Sequence, residues 1–220
     1  MQEEIKIYNN TEFLYISAES PEKITGDAEK NVRAELPSDV SFSKMMTERG
    51  YILGDRTIGV TINLTKVSPE LDKLIRFDIE DGGSEKSRIL EISVTAFGYD
   101  RRFNILCLPD EQLARTILSE WVDKLSNVFI CRYKGDVLGF IDIEDIDDKT
   151  ADIHLAAIDQ SVRLPGVAMS LYAFAVKKAV EMGKRRLTGR ISSRNMAVMN
   201  IYSGLGAVFS EPRDIYIKEA

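Results

Sequence analysis

The chain has 220 residues, enough to bury a sizeable core as one large domain or two small ones. Its formal net charge of -6 argues against a nucleic-acid binder that depends on a broad basic surface, and its two cysteines, Cys107 and Cys131, are too far apart to suggest a metal site. No apolar run is long enough to cross a bilayer and the acidic N-terminus lacks a leader-like segment, so we expect a cytoplasmic protein without membrane contacts.

The first hundred residues show weak secondary-structure patterns and no recognisable chemistry. The composition changes near Tyr99, which predicts an N-terminal α/β domain over residues 1–98 and a second domain over residues 99–220. The predicted elements of the first domain are a strand at 13–16, a helix at 41–49, a strand or hairpin at 51–64 broken by Gly54-Asp55, and a strand at 89–97. The last strand is predicted because apolar and polar residues alternate there.

The second part of the chain has clearer elements. A helix is predicted to begin after Asp110, a candidate N-cap, and three strands follow at 128–133, 137–143 and 151–158. The remaining elements are a long apolar helix at 165–182, a strand at 186–191, a short helix at 194–203 and closing strands at 208–209 and 215–217. This order of helices and strands predicts an α+β sandwich around a sheet.

The stretch from Arg163 to Ala168 predicts a pyrophosphate-binding helix start. Backbone N–H groups in the first turn of a helix lack intrahelical partners, and the helix dipole adds positive potential there. Gly166 and Ala168 are small enough for a ligand to approach that backbone. Leu164 precedes Gly166 in this segment, and Val167 lies between Gly166 and Ala168. Pro165 has no N–H, so one phosphate donor is missing from this segment.

Two motifs resemble a known family. The spacing Arg163-x-x-Gly166-x-Ala168 resembles the acyl-coenzyme A signature of the GCN5-related N-acetyltransferases, and Asn195, Tyr202 and the following Leu205-Gly206 resemble that superfamily's second signature. The resemblance implies acetyl-coenzyme A as cosubstrate, no metal, and the superfamily's mixed central sheet. It also implies that the backbone of Ala157 and Ile158 pairs with the pantetheine arm.

Within that superfamily the chain looks like the bacterial dTDP-fucosamine acetyltransferase group. The similarity lies in 99–103, 137–141 and 42–51, and it implies a degenerate N-terminal α/β domain ahead of the acetyltransferase core. The implied acceptor is a small-molecule primary amine, in that group the amine of a nucleotide-linked sugar. Alternatives are a peptide or protein N-terminus, a polyamine, an antibiotic amine, or a non-catalytic acyl-coenzyme A sensor. The sequence leaves open whether the protein is a monomer or a homodimer.

The resemblance also implies roles for individual residues. Tyr202 matches the phenol that donates a proton to the departing thiolate, although a tyrosine there can instead serve only packing. Asn195 matches a residue that binds the pantetheine arm, or it is simply a helix N-cap. Arg163 lies beside the phosphates or pairs with Asp159.

Two residues on one strand are candidates for the base that deprotonates the amine. Asp152 and His154 are two positions apart and therefore share a face. Asp152 matches the position of a glutamate base in some superfamily members, and His154 is the chain's single histidine, a residue type suited to proton transfer. A proton path through water is the third alternative.

Overall fold

The structure is a computed structural model that describes residues 1–9, 11–25, 30–98, 100–103, 105–106, 110–162 and 164–220. Within these ranges, ten strands form one mixed sheet and five α-helices pack around it. The strands are β1 (Gln2–Tyr8), β2 (Thr11–Ser17), β3 (Asn31–Pro37), β4 (Ile52–Asn63), β5 (Asp78–Asp81), β6 (Val128–Tyr133), β7 (Asp136–Asp147), β8 (Thr150–Ile158), β9 (Arg186–Ser192) and β10 (Val208–Lys218). The helices are α1 (Val40–Glu48), α2 (Lys86–Phe97), α3 (Glu111–Lys124), α4 (Val167–Glu181) and α5 (Met196–Gly204).

The sheet interleaves strands from both ends of the chain. Its order is β1-β2-β3-β10-β4-β9-β8-β7-β6-β5, so the last strand lies between two strands of the N-terminal part. Of these pairings, β2 with β3 and β8 with β9 are parallel and the others are antiparallel. Because of this order, β4 lies beside β9 in the middle of the sheet, and β3, β2 and β1 lead from β10 to one edge.

The two faces of the central sheet carry separate cores. Leu155 and Ala157 of β8 belong to a core with α2 and α3, whereas Ala156 and Ile158 pack with the core around α4. This alternation follows from the period of two along a strand. The predicted α+β sandwich is confirmed.

Several local predictions are confirmed by the same contacts. Asp110 caps α3, since its side chain accepts a hydrogen bond from the Leu113 N–H at 2.9 Å. The predicted helix at 41–49 is α1, which Gly50 follows with a φ of 83°. The three-strand meander is β6, β7 and β8, with β7 continuing to Asp147.

The strand predicted at 89–97 is wrong, because this segment is the helix α2. Ile89, Ile92, Ser93 and Phe97 are buried, a spacing that only a helix brings to one face. The polar Ser93 is accommodated because its hydroxyl donates to the Ile89 carbonyl at 2.8 Å. The alternation of Ile92, Val94 and Ala96 with polar residues is therefore incidental to the burial pattern.

The predicted break at Gly54-Asp55 is a shift in strand register at Gly54, since β4 continues through it as one strand. A Cβ on Gly54 would lie 2.9 Å from the Ile217 Cδ1 atom, so this glycine permits a close approach to β10. Asp55 is buried and accepts a hydrogen bond from the Ser192 hydroxyl at 2.9 Å. The two predicted closing strands are one strand, β10, which bends at Glu211.

Candidate active site

The parallel strands β8 and β9 separate part-way along their length. They pair from Thr150 with Arg186 to Ile153 with Gly189, after which β8 continues to Ile158 and β9 to Ser192 without pairing to each other. The backbone edge of β8 beyond Ile153 therefore has no strand partner on this side, although β7 pairs with its other edge. This fork offers N–H and C=O groups to an extended ligand.

A cavity of about 430 Å³, here called the splay cleft, lies on the α4 side of the fork. Small or apolar side chains dominate its lining, which includes Ala156, Ala157, Ile158, Ala168 and Asn195. Such a cleft admits a long, thin ligand to the backbone of β8 without side chains in the way.

The start of α4 lies at the edge of the splay cleft. Gly166 is its N-cap and has a φ of 92°, and the nearest atom to a Cβ there would be Phe77 Cε2 at 3.9 Å. Glycine is therefore required by backbone conformation and not by crowding. The helix begins at Val167, so the prediction that it begins at Pro165 is wrong. Because Pro165 precedes the N-cap, its missing N–H removes no donor from the first turn.

A side chain of α2, Arg88, holds the loop before α4. Asp159 accepts a hydrogen bond from the Ser161 N–H at 2.8 Å and forms an ion pair with Arg88. The Ser161 hydrogen bonds, with the Arg88 guanidinium beside them, hold the pKa of Asp159 below its usual value. Leu164 is 40% exposed beside this loop. Arg163, the predicted phosphate ligand, lies outside the described residues.

Tyr202 is buried at the fork. Its side chain is 1% exposed and packs edge-to-face on Tyr172, with 5.1 Å between ring centroids. A Cβ on Gly189 would lie 2.7 Å from the Tyr202 hydroxyl, so the phenol reaches the point where the strands separate only because residue 189 is glycine. Burial, reinforced by Tyr172 and Asp152, holds the pKa of Tyr202 well above its usual value. The phenol therefore keeps its proton at neutral pH.

Asn195 caps α5 and also lines the splay cleft. Its Oδ1 atom accepts a hydrogen bond from the Val198 N–H at 3.2 Å, which makes it the N-cap of α5. It also lines the splay cleft and a narrow recess of about 40 Å³ that Tyr202 and His154 line as well. Capping occupies the side-chain oxygen, and the amide group keeps its N–H donors.

The two candidate bases line one pocket on the α3 side of β8. Asp152 accepts a hydrogen bond from the Thr188 hydroxyl at 2.5 Å. His154 occupies a β-bulge, stacks on Trp121 with 4.7 Å between centroids, and has its Nδ1 atom 3.5 Å from a Glu144 oxygen. Of the two, only His154 lines both the recess beside Tyr202 and the larger pocket behind it.

That pocket, here called the basic pocket, has a volume of about 320 Å³. Among the described residues, its cationic side chains are Lys6, Arg33, Arg102 and Arg190, and its acids are Glu35 and Asp152. Tyr15 and Trp121 supply aromatic walls. In the described parts of the chain, no three His, Cys, Asp or Glu side chains are grouped to hold a metal ion. Nor does any described helix have the length and apolarity for a membrane crossing.

The profile of the "Acetyltransferase (GNAT) family" matches residues 94–207. This range covers just over half of the chain and contains the fork, the start of α4 and Tyr202. The chain belongs to the GNAT acetyltransferase family. GNAT enzymes transfer an acetyl group from acetyl-coenzyme A to an amine, and the predicted GNAT fold with its mixed sheet is confirmed.

Solved structures with the same fold share little sequence with this GNAT chain. A conserved protein of unknown function from Staphylococcus epidermidis is 13% identical, with a TM-score of 0.63 over 96% of this chain and 84% of that one. A GCN5-related N-acetyltransferase from Sphaerobacter thermophilus is 18% identical, with a TM-score of 0.61 over 87% and 61%. A glucosamine N-acetyltransferase region of a fungal multi-domain β-N-acetylglucosaminidase is 10% identical, with a TM-score of 0.65 over 98% and 31%. A comparison with curated proteins found no match.

Part of the basic pocket's lining lies outside the segment that the GNAT family matches. The lining residues outside 94–207 are Lys6, Tyr15, Arg33, Glu35, Thr57 and Ile215. They come from β1, β2, β3, β4 and β10, which meet only through the interleaved order of the sheet.

Sequence reasoning missed four residues of this GNAT site. Gly189 and Tyr172 position the Tyr202 phenol, and Arg190 and Arg33 line the basic pocket. A local signal existed for Arg190, because Thr188, Arg190 and Ser192 alternate with buried residues along β9. No local signal marks Arg33, since its place in the pocket depends on pairing between distant strands.

Proposed function

We propose that this protein transfers an acetyl group directly from acetyl-coenzyme A to a primary amine that enters from the basic pocket. The observation that carries the proposal is the fork between β8 and β9, which opens to the splay cleft on one side and to the basic pocket on the other. Acetyl-coenzyme A supplies an acetyl thioester that an amine can attack. The two sides of the fork keep the two substrates apart until they meet at the recess.

The splay cleft fits the coenzyme. The first-turn N–H groups from Val167 and Ala168 bind its diphosphate, and Gly166 exposes this backbone. The free edge of β8 at Ala157 and Ile158 pairs with the pantetheine amides, and the Asn195 amide nitrogen donates to the same arm. Arg163 and Leu164 flank the phosphates in this proposal.

Tyr202 is the general acid. It holds a proton on a buried hydroxyl at the fork, where the departing sulfur needs one. Because burial raises its pKa, the phenol is fully protonated before transfer and recovers its proton readily afterwards.

His154 is the general base. Its ring lines both the recess and the basic pocket, so it can accept a proton from an amine that lies between them. Glu144 near Nδ1 and the Trp121 ring hold the imidazole in one orientation. Asp152 receives the incoming ammonium group and orients it, since its carboxylate faces the same pocket.

The lining of the basic pocket favours a nucleotide-linked amino sugar over a polyamine as acceptor. Arginine and aromatic side chains suit phosphate and base or sugar rings, whereas a polycation requires an acidic wall. The similarity to the dTDP-fucosamine group supports the same acceptor class.

Two measurements test this function. Titration calorimetry with acetyl-coenzyme A should give binding at one site per chain. A thiol-release assay with a panel of nucleotide-linked amino sugars, peptides, polyamines and aminoglycosides should show turnover with at least one amine. Binding without turnover on any amine would instead support a non-catalytic acyl-coenzyme A sensor, and no binding would contradict the proposal altogether.

A further inference from the structure

We propose that the basic pocket selects an amine that also carries an anionic group, a phosphate or a carboxylate, and that Arg33 on β3 is the residue that determines this specificity. The inference rests on the proposed function and goes beyond it, because it assigns substrate selection to strands outside the family-matched segment. The observation behind it is the incomplete hydrogen bonding of the Arg33 guanidinium group.

Arg33 has an unsatisfied donor. Among the described residues, its Nε atom is the buried side-chain nitrogen or oxygen that has no hydrogen-bond partner. The side chain is 15% exposed, and its guanidinium lies 5.5 Å from the centre of the Tyr15 ring. A buried donor without a partner destabilises a protein by about 1–3 kcal/mol, and the Nε atom has less than 1 Å² of accessible surface. In this proposal the guanidinium turns toward an anion in the pocket, and the Nε atom then gains its acceptor.

The charge of Arg33 is only weakly compensated. Its partner Glu35 lies 3.4 Å from the Nη2 atom, but the same carboxylate lies 3.0 Å from the Nε atom of Arg213. Arg213 does not line the pocket, and it pairs with Glu19 at 3.4 Å as well as with Glu35. Arg33 therefore shares Glu35 with Arg213, and the described side chains that line the pocket, four cationic and two acidic, keep a net positive charge.

The other arginines of the pocket are fixed by the protein itself. Arg102 forms an ion pair with Asp100 at 2.6 Å, and Arg190 donates to the Thr57 hydroxyl at 3.2 Å and the Glu211 carbonyl at 3.1 Å. They add positive potential, while Arg33 retains a free directional donor. An anion in the pocket therefore gains most from Arg33.

The opposite end of the pocket carries the complementary charge. Asp152 lies where β8 and β9 separate and suits an ammonium group, whereas Arg33 and Lys6 line the outer strands. A cavity of about 320 Å³ holds the amino sugar and the adjoining phosphate of a nucleotide-linked sugar, or a whole amino-sugar phosphate or amino acid. The pocket thus fits one ligand with an amine at one end and an anion at the other.

Matched acceptor pairs test the inference in the wild-type enzyme. Glucosamine and glucosamine phosphate differ only in the phosphate, and alaninamide and alanine differ in the carboxylate. We expect kcat/KM to be about ten- to a hundredfold higher for the anionic member of at least one pair, mainly through KM. The pair that shows the difference identifies phosphate or carboxylate. Equal values within both pairs would overturn the proposal.

Variants assign the effect to Arg33. Arg33→Met keeps the apolar stem and should remove the preference for the anionic acceptor, because it lowers kcat/KM for the anionic member of the pair more than for the neutral one. Arg33→Lys should restore part of the preference, and Arg132→Met, at an exposed ion pair of β6, should leave it unchanged. The unfolding temperature of Arg33→Met should not fall, because the change removes a buried unpaired donor. Equal losses for both acceptors would contradict a role in specificity.

A binding measurement separates this inference from the proposed function. Calorimetry with glucosamine phosphate and with alanine, in the absence of acetyl-coenzyme A, requires no turnover. Binding of either that Arg33→Met weakens at least tenfold would support the anionic pocket even if no amine were acetylated. Turnover of neutral amines together with no preference for anionic ones would retain the acetyltransferase and reject the pocket's specificity.

Discussion

The splay cleft is lined by small apolar side chains and exposed backbone, whereas the basic pocket across the fork is lined by charged and aromatic side chains. The cleft is lined by residues of α2, β7, β8, α4 and α5, all inside the family-matched segment. The pocket draws on strands from both ends of the chain. In the proposed function, backbone groups therefore hold the coenzyme that the family shares, and side chains on the outlying strands select the amine.

The difference separates two kinds of mutational effect. Changes in the cleft should alter chemistry or coenzyme affinity for every acceptor. Changes in the basic pocket should alter the ranking of acceptors. Each prediction below tests one side of this division.

The largest effect is expected at Tyr202. Tyr202→Phe should lower kcat by about 10²–10⁴-fold, the usual contribution of a general acid, and leave the Kd for acetyl-coenzyme A nearly unchanged. Steady-state kinetic assays measure kcat, and calorimetry measures the Kd. Tyr172→Phe removes the neighbouring phenol and serves as the control, with a much smaller loss of kcat. If Tyr202→Phe weakens coenzyme binding as much as it slows turnover, the ring serves packing and not proton donation.

His154 should show the next largest effect. His154→Ala should lower kcat by about a hundredfold, at the low end for a general base, because a side chain about a third exposed lets water replace it in part. Added imidazole should recover activity, a response that loss of packing on Trp121 would not give.

The matched variant at the same face is Asp152→Asn, which should raise the KM of the amine about tenfold with little change in kcat. The reverse pattern, a large kcat loss for Asp152→Asn and none for His154→Ala, would exchange the two roles. Loss of kcat in neither variant would support a proton path through water.

Gly166 tests the backbone side of the comparison. Gly166 and Gly183 flank α4 with φ values of 92° and 76°, and neither is crowded. An alanine at either position should lower the free energy of unfolding by about 1–2 kcal/mol, since both require a left-handed backbone. Only Gly166→Ala should also raise the Kd for acetyl-coenzyme A, by about tenfold. Equal affinities in the two variants would mean that the start of α4 does not bind the diphosphate.

Local patterns in the sequence predicted most of the elements around the cleft, although not α2, which contributes Ala96 and Phe97 to its lining. Gly166, Asn195 and Tyr202 lie in two short motifs, and the elements that carry them follow one another in the chain. The boundary of α4 was missed by two residues because the left-handed backbone of Gly166 cannot continue a helix, a detail that the proline pattern does not reveal.

The N-terminal part was predicted less well for a physical reason. In α2, tertiary burial of Ile89, Ile92 and Phe97 decided a segment whose local alternation favoured a strand. In β4, Gly54 serves close packing against Ile217 and not a turn. The basic pocket depends on the pairing of β3 with β10, which brings β1 and β2 to the same side of the sheet, and such long-range pairing leaves no local signature at Arg33.

The smallest effect is a pH dependence of stability that distinguishes the neutral cleft from the charged pocket. Tyrosine titrates near 10.0 in an unfolded chain, whereas burial raises the pKa of folded Tyr202 well above that value. Above about pH 10 the folded state therefore binds more protons than the unfolded state, so stability falls as pH rises, and below about pH 9 the residue contributes no pH dependence. Urea unfolding of Tyr202→Phe should show a decline that is shallower by about 1.4 kcal/mol per pH unit. If the free energy of unfolding fell equally steeply with pH in both proteins above about pH 10, the phenol would ionise in the folded state as it does in the unfolded chain. The site around Tyr202 would then tolerate a charge, and its contrast with the basic pocket would be lost.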